Sequence, residues 1–519
     1  MNIRNLLLLA ILLVTSLYSF AQQRRLEIPI PSSSANIFTI PVGPDGVLLL
    51  TQAGRSSYHI DRFDTNFERT WSVDGTITDG LEYVTYSYDE RNVYLLFSRN
   101  RSNVYQIIKV YVGPGFTEKF EIQSVDKMEI SQFKAFHDGI YIAGVVREQP
   151  VLSYTNLQTR QNRLINATFK GQAEVQAIDV DSVTNRVNVT YAIHKGKEYS
   201  ISVKSFDDEG KQLTDIVVTP DENYALLDGR LSDMNDGTQL MIGTYGYRNS
   251  QSQTKGRMVQ GLYICRVTEN EVLPLNYYSF TDFKNFFSYL SPRDQEKRER
   301  QIQRKKERGN DLKINTQILL HDIIQKDNQL ILVGEAFQAT FRNQNMSPWG
   351  FGGPWGGGFG NGFYPGWGWG MYSLNPWYFG NRGLYNNNSQ MFDGWQYTNA
   401  IVVGFDKNGK LLWDTSFEID KTKTMNLKEK VKVNIQNDQI TLVYNDKGSL
   451  RSKTVKNNMV LEDGIAQTIV TGNRADRVRN STDNVDYWYG NYFLAWGFQR
   501  LTNDVDGRRN VFYLNKIAY

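Results

Sequence analysis

The sequence predicts an all-β fold built from a repeated four-stranded unit, and three observations carry this prediction. The chain is rich in aromatic residues (13%) and in small polar residues, a composition typical of strands joined by turns. A turn dipeptide followed by an apolar strand recurs eight times along the chain. The first four copies lie 46 or 47 residues apart, which is close to the length of one propeller blade.

Each copy of this repeat predicts four antiparallel strands. The turn dipeptides of the eight copies begin at Asp45, Arg91, Asp138, Asn185, Asp236, Asp327, Asn437 and Gly490. A strand precedes each copy and a hairpin follows it. The hairpin is clearest where residues 400–405 lead through Asn408 and Gly409 into residues 411–419. An Asn-Gly turn between two apolar strands is a strong hairpin signal.

The two ends of the chain indicate how such units would form a closed ring. The last unit has strands at 492–498 and 510–517 and then lacks one, whereas residues 26–30 form an unused strand near the N-terminus. Pairing them would complete the last unit and remove the exposed edges of an open sheet. We therefore predict an eight-bladed β-propeller. Seven blades are the alternative count, and two stacked β-sandwiches are the alternative fold.

The N-terminus predicts export from the cytoplasm. Residues 1–4 are basic, residues 6–14 are apolar, and small residues at Ser19 and Ala21 match a signal-peptidase site. We expect a signal peptide at 1–21, followed by a single propeller domain at 22–519 in the periplasm. The residue directly after the cleavage site is Gln22 and not a cysteine, so we expect no lipoprotein anchor. The chain has one cysteine, Cys265, and therefore no intramolecular disulfide.

The first break in the repeat period is a basic insertion at residues 282–310. Ser291 is placed to cap a helix that begins at Pro292, and Gly309 is placed to end it. Ile302 is the only apolar residue from 293 to 308, so the helix should bury little. A solvated, salt-bridged face and a surface for an anionic partner are both consistent with this pattern. The candidate partner contacts are Arg298, Arg304 and Lys305.

The second break is a glycine- and aromatic-rich loop predicted at residues 343–397. No charged residue occurs from 347 to 381, and glycine and proline interrupt any regular strand or helix. The loop could be a low-complexity linker, a carbohydrate platform or a docking loop, and we favour docking because exposed aromatic rings left free promote aggregation. The candidate contacts are Trp349, Phe351, Trp355, Phe359, Phe363, Tyr364, Trp367, Trp369, Trp377 and Tyr378.

Strand order predicts that both insertions leave the same face of the ring. In a four-stranded blade with strands a to d, the d-to-a and b-to-c connections share one face. The basic insertion would join strand d of the fifth blade to strand a of the sixth, and the aromatic loop would join strands b and c of the sixth. Large insertions that cluster on one face of a repeat fold indicate a working surface.

The sequence contains no catalytic or cofactor motif. Phosphate-binding, metalloprotease and serine-hydrolase signatures are absent. The four histidines lie in different blades, so we expect no metal site. The segments 179–182 and 504–507 begin like calcium loops but lack the later carboxylate, and we interpret them as turns. The net charge of +3 argues against a nucleic-acid partner. Quinone-dependent alcohol dehydrogenases also have eight blades, but their recurrent tryptophans and paired cysteines are missing here.

The signal-peptide pattern, the Asn, Lys and Tyr content and the Gly-Trp tract resemble Bacteroidota envelope proteins. The signal and the loop together resemble, in role and composition, the Plug subunits of type 9 secretion translocons. That resemblance implies a loop filling the mouth of a pore, with the basic helix at its rim. Our hypothesis is a non-enzymatic periplasmic scaffold bound to an outer-membrane or periplasmic protein complex, without a membrane span of its own. The alternative is a glycan-binding or glycan-cleaving propeller.

Overall fold

The computed structural model describes most of the chain after the predicted signal peptide. The described residues are 22–30, 36–89, 91–99, 103–123, 125–147, 149–165, 169–182, 184–234, 236–251, 257–268, 271–314, 316–326, 328–343, 390–420, 422–425, 427–436, 438–456 and 459–519. The predicted signal peptide and the ten aromatic candidates of the second insertion lie outside these residues.

The described residues form eight antiparallel sheets, seven with four strands and one, the sixth, with six. Each sheet contains four main strands, which we call a to d in their order across the sheet. The chain begins with β1 (Gln22–Pro29). The strands of the first four blades are β2 (Asn36–Pro41), β3 (Val47–Ala53), β4 (Ser57–Phe63), β5 (Arg69–Thr76), β6 (Glu82–Tyr88), β7 (Asn92–Ser98), β8 (Val104–Tyr111), β9 (Thr117–Gln123), β10 (Glu129–Phe136), β11 (Gly139–Val146), β12 (Gln149–Asn156), β13 (Asn162–Ile165), β14 (Gln172–Asp181), β15 (Arg186–Lys195), β16 (Glu198–Phe206) and β17 (Gln212–Val218).

The last four blades contain the longer strands. They are formed by β18 (Tyr224–Asp233), β19 (Gln239–Tyr247), β20 (Gly261–Val267), β21 (Asn276–Ser279), β22 (Gln317–Leu320), β23 (Ile324–Lys326), β24 (Gln329–Asn343), β25 (Gln390–Asp406), β26 (Leu411–Glu418), β27 (Lys423–Thr424), β28 (Lys432–Gln436), β29 (Gln439–Asp446), β30 (Ser449–Lys456), β31 (Met459–Thr468), β32 (Arg477–Tyr489), β33 (Tyr492–Asn503) and β34 (Gly507–Ala518). Two short strands, β23 and β27, are additions to the sixth blade that the repeat pattern did not predict.

The ring closes by pairing of the two ends of the chain, as the sequence predicted. Strand β1 pairs antiparallel with β34, with Leu26 opposite Leu514 and Ile28 opposite Phe512. The eighth sheet therefore has the order β1-β34-β33-β32, and both ends of the chain belong to one blade. This confirms the eight-bladed prediction over seven blades or two sandwiches.

The core is distributed between the blades rather than gathered at one centre. The buried apolar residues form eight clusters, and each cluster joins two neighbouring blades. Leu50 of the first blade and Leu95 of the second, for example, are both fully buried in one cluster. The b strands contribute to every cluster because the predicted apolar runs alternate toward both neighbours.

One α-helix occurs among the described residues: α1 (Pro292–Lys306), between the fifth and sixth blades. It lies within the predicted basic insertion. The part of the chain that the structure describes has no helix long and apolar enough to cross a membrane.

Candidate functional site

Helix α1 begins and ends where its sequence predicts. The Ser291 hydroxyl accepts a hydrogen bond from the backbone N–H of Asp294 at 3.3 Å, and Pro292 occupies the first turn. The chain leaves the helix through Gly309, whose φ of +66° is the left-handed conformation that glycine tolerates. No residue of the helix is buried. The helix is therefore held by its ends and by the segment beneath it.

Most of the charge of α1 faces solvent. The helix carries seven basic and three acidic side chains, a net charge of +4. Its described ion pairs are Arg300 with Glu296 at 3.8 Å and Lys306 with Asp282 at 2.5 Å. Arg304 and Lys305 are exposed, and neither forms an ion pair with any described residue. These two candidates therefore form a basic surface rather than a salt-bridged face.

Arg298 has a different environment from the other two basic candidates. It is half-buried, and its guanidinium lies 5.6 Å from the ring centre of Phe287, within cation–π range. Its Nη1 also lies 3.4 Å from the Gln301 side-chain oxygen. Arg298 thus packs α1 onto the protein, and its role as a partner contact remains a prediction.

Residues 280–290, which we call the arm, attach the insertion to the outer strand of the sixth blade. Phe283 and Phe286 are buried between the fifth and sixth blades. The Asp414 carboxylate of β26 accepts hydrogen bonds from the backbone N–H groups of Lys284 (3.1 Å) and Asn285 (2.6 Å). Burial raises the pKa of Asp414, although these two hydrogen bonds oppose the rise. The arm therefore covers an edge that would otherwise be open to pairing with another chain.

A groove with a volume of about 340 Å³ separates the arm from α1. Phe283, Phe287 and Ile302 supply its apolar lining, and Lys284 and Lys306 are among its polar residues. The one apolar side chain of the helix thus faces the arm. This explains why a helix with so little apolar surface has a fixed orientation.

The second insertion leaves the sixth blade at a two-stranded stalk formed by residues 338–343 and 390–396. The β24–β25 ladder continues past the body of the blade to the pair Asn343 and Gln390. Our prediction of a loop over 343–397 was therefore wrong for residues 390–397, which belong to β25. Alternation in β25 places Trp395 and Tyr397 in the core, and Trp395 is only 1% exposed.

Local contacts fix the base of this stalk. The Trp395 ring packs edge-on against Phe337, with 5.5 Å between the ring centres. The Tyr397 hydroxyl donates to the Lys428 carbonyl oxygen at 2.5 Å. The short strand β27 pairs with β25 at Trp395, and Lys423 of β27 forms an ion pair with Asp393 at 2.6 Å. Asn343 and Gln390, the residues that flank the glycine- and aromatic-rich segment, consequently lie side by side on paired strands.

The strand order confirms that both insertions leave one face of the ring, which we call the insertion face. Helix α1 lies in the connection from β21 to β22, and residues 344–389 connect β24 to β25. These are a d-to-a and a b-to-c connection, and antiparallel order places both at the same end of the strands. The insertion face thus combines the basic helix and the stalk.

A group of buried charges that the sequence did not reveal joins the sixth and seventh blades. The Glu335 carboxylate is completely buried and accepts hydrogen bonds from the backbone N–H groups of Lys430 (2.8 Å) and Val431 (2.9 Å). His321 Nε2 lies 2.7 Å from the same carboxylate. Burial lowers the pKa of His321, but the Glu429 carboxylate and the hydrogen bond to Glu335 outweigh it and raise that pKa. We call His321, Glu335, Glu429 and Lys430 the Glu335 cluster.

A second charged group lies at the face opposite the insertions. The segment 179–182, which we predicted to be a turn, begins as strand: Asp179 is the third-last residue of β14. Burial and the Asp322 carboxylate raise the pKa of Asp179 to about 7. Its Oδ2 atom is buried without a hydrogen-bond partner among the described residues. We call Asp179, Lys134, Asp233 and Asp322 the Asp179 cluster; they line a cavity of about 530 Å³.

The described residues contain no group of three or more His, Cys, Asp and Glu side chains that could hold a metal ion. Burial raises the pKa of the Cys265 thiol to about 12, so this cysteine is a poor nucleophile. Residues 504–507 form the turn between β33 and β34, and Val505 is 91% exposed. The most distinctive chemical feature of the described residues is therefore the arrangement of their charged side chains.

Comparison with known proteins assigns this chain to no family. No family model and no curated protein matches it. Among solved structures it is similar to the polysaccharide lyase Uly1, at 9% identity over 96% of this chain and 99% of that chain, with a TM-score of 0.39. It is also similar to the propeller domain of the Trilobed protease from Pyrococcus furiosus, at 7% identity over 84% and 95% of the two chains, with a TM-score of 0.34.

A third similar structure is a prolyl endopeptidase, at 7% identity over 84% of this chain, with a TM-score of 0.39. This chain spans only half the length of that protein. Although these proteins include enzymes, a similarity at such low sequence identity is no evidence that this chain has their activities. The class that the strand order defines is an eight-bladed β-propeller of four-stranded antiparallel blades.

Proposed function

We propose that this chain is a non-enzymatic propeller scaffold that docks into an outer-membrane protein complex through its insertion face. The stalk is the observation that carries the proposal. Core contacts at Trp395 and Tyr397 fix its base, and its two strands are joined in sequence by the 46 residues 344–389. Tryptophan is enriched among the few interface residues that contribute about 2 kcal/mol or more to binding.

The basic surface of α1 supports the same proposal. Arg304 and Lys305 are exposed, without an ion pair among the described residues, and α1 shares the insertion face with the stalk. A positive rim steers an anionic partner and sets orientation more than affinity. We further propose the periplasm as the location and the type 9 secretion translocon as the assembly, with residues 344–389 acting as a plug in the pore mouth.

The experiment compares three variants with the intact chain in a pull-down from detergent-solubilised envelope. The first replaces residues 344–389 by Asn-Gly between Asn343 and Gln390. This preserves the stalk, whereas deletion of 347–397 would remove buried Trp395 and Tyr397. The second is R304Q with K305Q. The control is R160Q with K211Q, which removes one exposed Arg and one exposed Lys from c-to-d turns on the opposite face.

We expect the intact chain and the control to recover an outer-membrane complex and the stalk-preserving deletion to lose it. R304Q with K305Q should weaken recovery several-fold, most clearly at low salt. Five of the ten tryptophans lie in 344–389, so acrylamide quenching of the intact chain should fall when the partner is added. Recovery of the same complex by the deletion variant contradicts the proposal. Recovery of polysaccharide instead would favour the glycan-binding alternative.

A further inference from the structure

The end of the eighth blade at the insertion face carries an arginine-rich surface that the docking proposal does not use. Strand β1 ends at Pro29, which lies opposite Val511. Beyond that pair, β33 and β34 continue together to Asn503 and Gly507. After the hydrogen bond from Ile30 N to the Asn510 carbonyl oxygen (3.0 Å), no described strand covers the outer edge of β34.

The strand register places three arginines on one face of this extension. Arg477 of β32 and Arg508 of β34 both lie opposite Thr502 of β33. Arg500, two residues before Thr502, lies opposite Asn510. Directly opposite residues share a face, and residues two apart on a strand share it too. Arg500 is therefore a diagonal neighbour of both Arg477 and Arg508, about 7–8 Å away at the backbone. Arg477 and Arg508 lie two strands apart, about 10 Å from each other. We call Arg477, Arg500 and Arg508 the arginine site.

A cavity adjoins two of these arginines. Its volume is about 660 Å³, and Arg500, Arg508 and Arg509 line it together with Pro29, Ile30 and Asn510. The described lining residues include no carboxylate. Two arginines of the site, Arg500 and Arg508, therefore border a space that a small anionic group can enter.

Three nearby carboxylates, those of Glu27, Asp476 and Asp506, engage Arg509, the residue that follows Arg508. Arg509, opposite Leu501, pairs with Asp476 at 2.6 Å and with Glu27 at 3.3 Å. Arg500 Nε donates to the Asn510 side-chain oxygen at 3.4 Å. Arg477 and Arg508 are exposed, and neither forms an ion pair within the described part of the chain.

The residues that connect Ile30 to Asn36 do not change this charge balance. Their sequence is Pro-Ser-Ser-Ser-Ala, which contains no acidic side chain. Whatever these residues contact, they supply no negative charge to the site. Like charges on neighbouring strands are mutually destabilising, and a bound anion offsets that cost.

We propose that the arginine site binds a phosphate or sulfate group of an anionic ligand. Planar guanidinium groups match tetrahedral oxyanions with paired N–H donors, and such charge-assisted hydrogen bonds are stronger than neutral ones. The β33-to-β34 turn is a b-to-c connection, so the site lies on the insertion face. The group would come either from a free anion or from the head group of a phosphorylated lipid. This inference does not depend on the docking proposal.

The test titrates the full chain with inorganic phosphate, pyrophosphate and sulfate by calorimetry. A parallel arm measures co-sedimentation with phosphatidylcholine vesicles with and without phosphatidic acid. The variant is R477Q with R508Q, because both side chains are exposed and unpaired among the described residues. The control is R55Q with R160Q, two exposed arginines of the first and third blades.

We expect the intact chain and the control to bind at least one probe and R477Q with R508Q to bind it about tenfold more weakly or worse. Arg-dependent binding of the free anions identifies a small-anion site, and binding confined to phosphatidic acid vesicles identifies a lipid head group. The proposal is overturned if the intact chain binds no probe or if the variant binds as tightly as the control. As a second measurement on the unmutated chain, phosphate should slow phenylglyoxal modification of Arg508, and unchanged modification opposes the proposal.

Discussion

The Glu335 cluster and the Asp179 cluster both bring together charged residues of different blades, but they satisfy these charges differently. Every oxygen of buried Glu335 receives a hydrogen bond from a backbone N–H group. In the Asp179 cluster a buried carboxylate oxygen has no hydrogen-bond partner among the described residues, and a second carboxylate, Asp322, raises the pKa of Asp179. One cluster therefore stabilises the ring, whereas the other lowers its stability once it is ionised.

The difference follows from where the partners come from. Glu335 lies on β24 of the sixth blade, and its backbone donors lie just before β28 of the seventh, so it joins two blades. Asp179 meets side chains of the third, fifth and sixth blades beside a cavity. Charges that line a cavity remain accessible to solvent and ligands. A cluster of this kind therefore suits a surface that changes its charge with pH.

The largest expected effect is at Glu335. Glu335→Gln places an amide N–H₂ group against backbone donors, so we expect a loss of about 3 kcal/mol in the free energy of unfolding. Urea unfolding followed by tryptophan fluorescence measures it. Glu209→Gln, in an exposed turn, is the matched control and should change stability by less than about 0.5 kcal/mol. Equal effects of the two substitutions would remove the distinction between the clusters.

Asp179→Asn should change the free energy of unfolding in the opposite direction and increase it. The folded-state pKa of Asp179 is raised to about 7, so the ionised carboxylate lowers the stability of the fold above pH 7. This loss of stability shrinks as the pH falls toward the pKa of an aspartate in the unfolded chain. We expect Asp179→Asn to gain about 1–2 kcal/mol at pH 8 and to lose this advantage near pH 4. Urea midpoints at the two pH values measure the difference. A variant less stable than the intact chain at pH 8 would refute the assignment.

The smallest effect is expected at His321. Its folded-state pKa is raised, so its contribution is fully present below about pH 6.5 and is lost as the pH rises through the raised value. His321→Gln should therefore cost about 1 kcal/mol at pH 6 and less at pH 9. Urea midpoints at these two pH values measure the cost, and His194→Gln, in an exposed hydrogen bond to the Gly196 carbonyl, is the comparison variant. A larger cost for His321→Gln at pH 9 than at pH 6 would show that the folded protein does not favour the protonated imidazole.

Much of the frame could be predicted from local pattern. The apolar runs after Asp45 and Asn185 became buried b strands, and the turn at Asn408 and Gly409 became a hairpin. The Ser291 cap and the limits of α1 also followed from neighbouring residues. Repeat period, capping and turn chemistry depend on residues a few positions apart. For that reason a single sequence displays them.

The stalk and the two charged clusters could not be predicted in this way. Glycine-rich composition concealed that residues 390–397 belong to a strand, because their partners, residues 337–343, lie on the other side of the 46-residue segment. Glu335 and Lys430 are 95 residues apart in sequence. Asp179 and Asp322 come from different blades, and the sequence around either residue does not indicate that the other lies nearby.

The sequence by itself determined the repeat, the number of blades, the closure by β1 and the common face of the two insertions. These features depend on periodicity and strand order, which the chain records directly. Only the tertiary structure decided which charges are paired, which arginines share a face and where the stalk begins. Those properties depend on the register and packing of segments far apart in sequence, and burial in a shared low-dielectric environment is what makes their charges interact strongly.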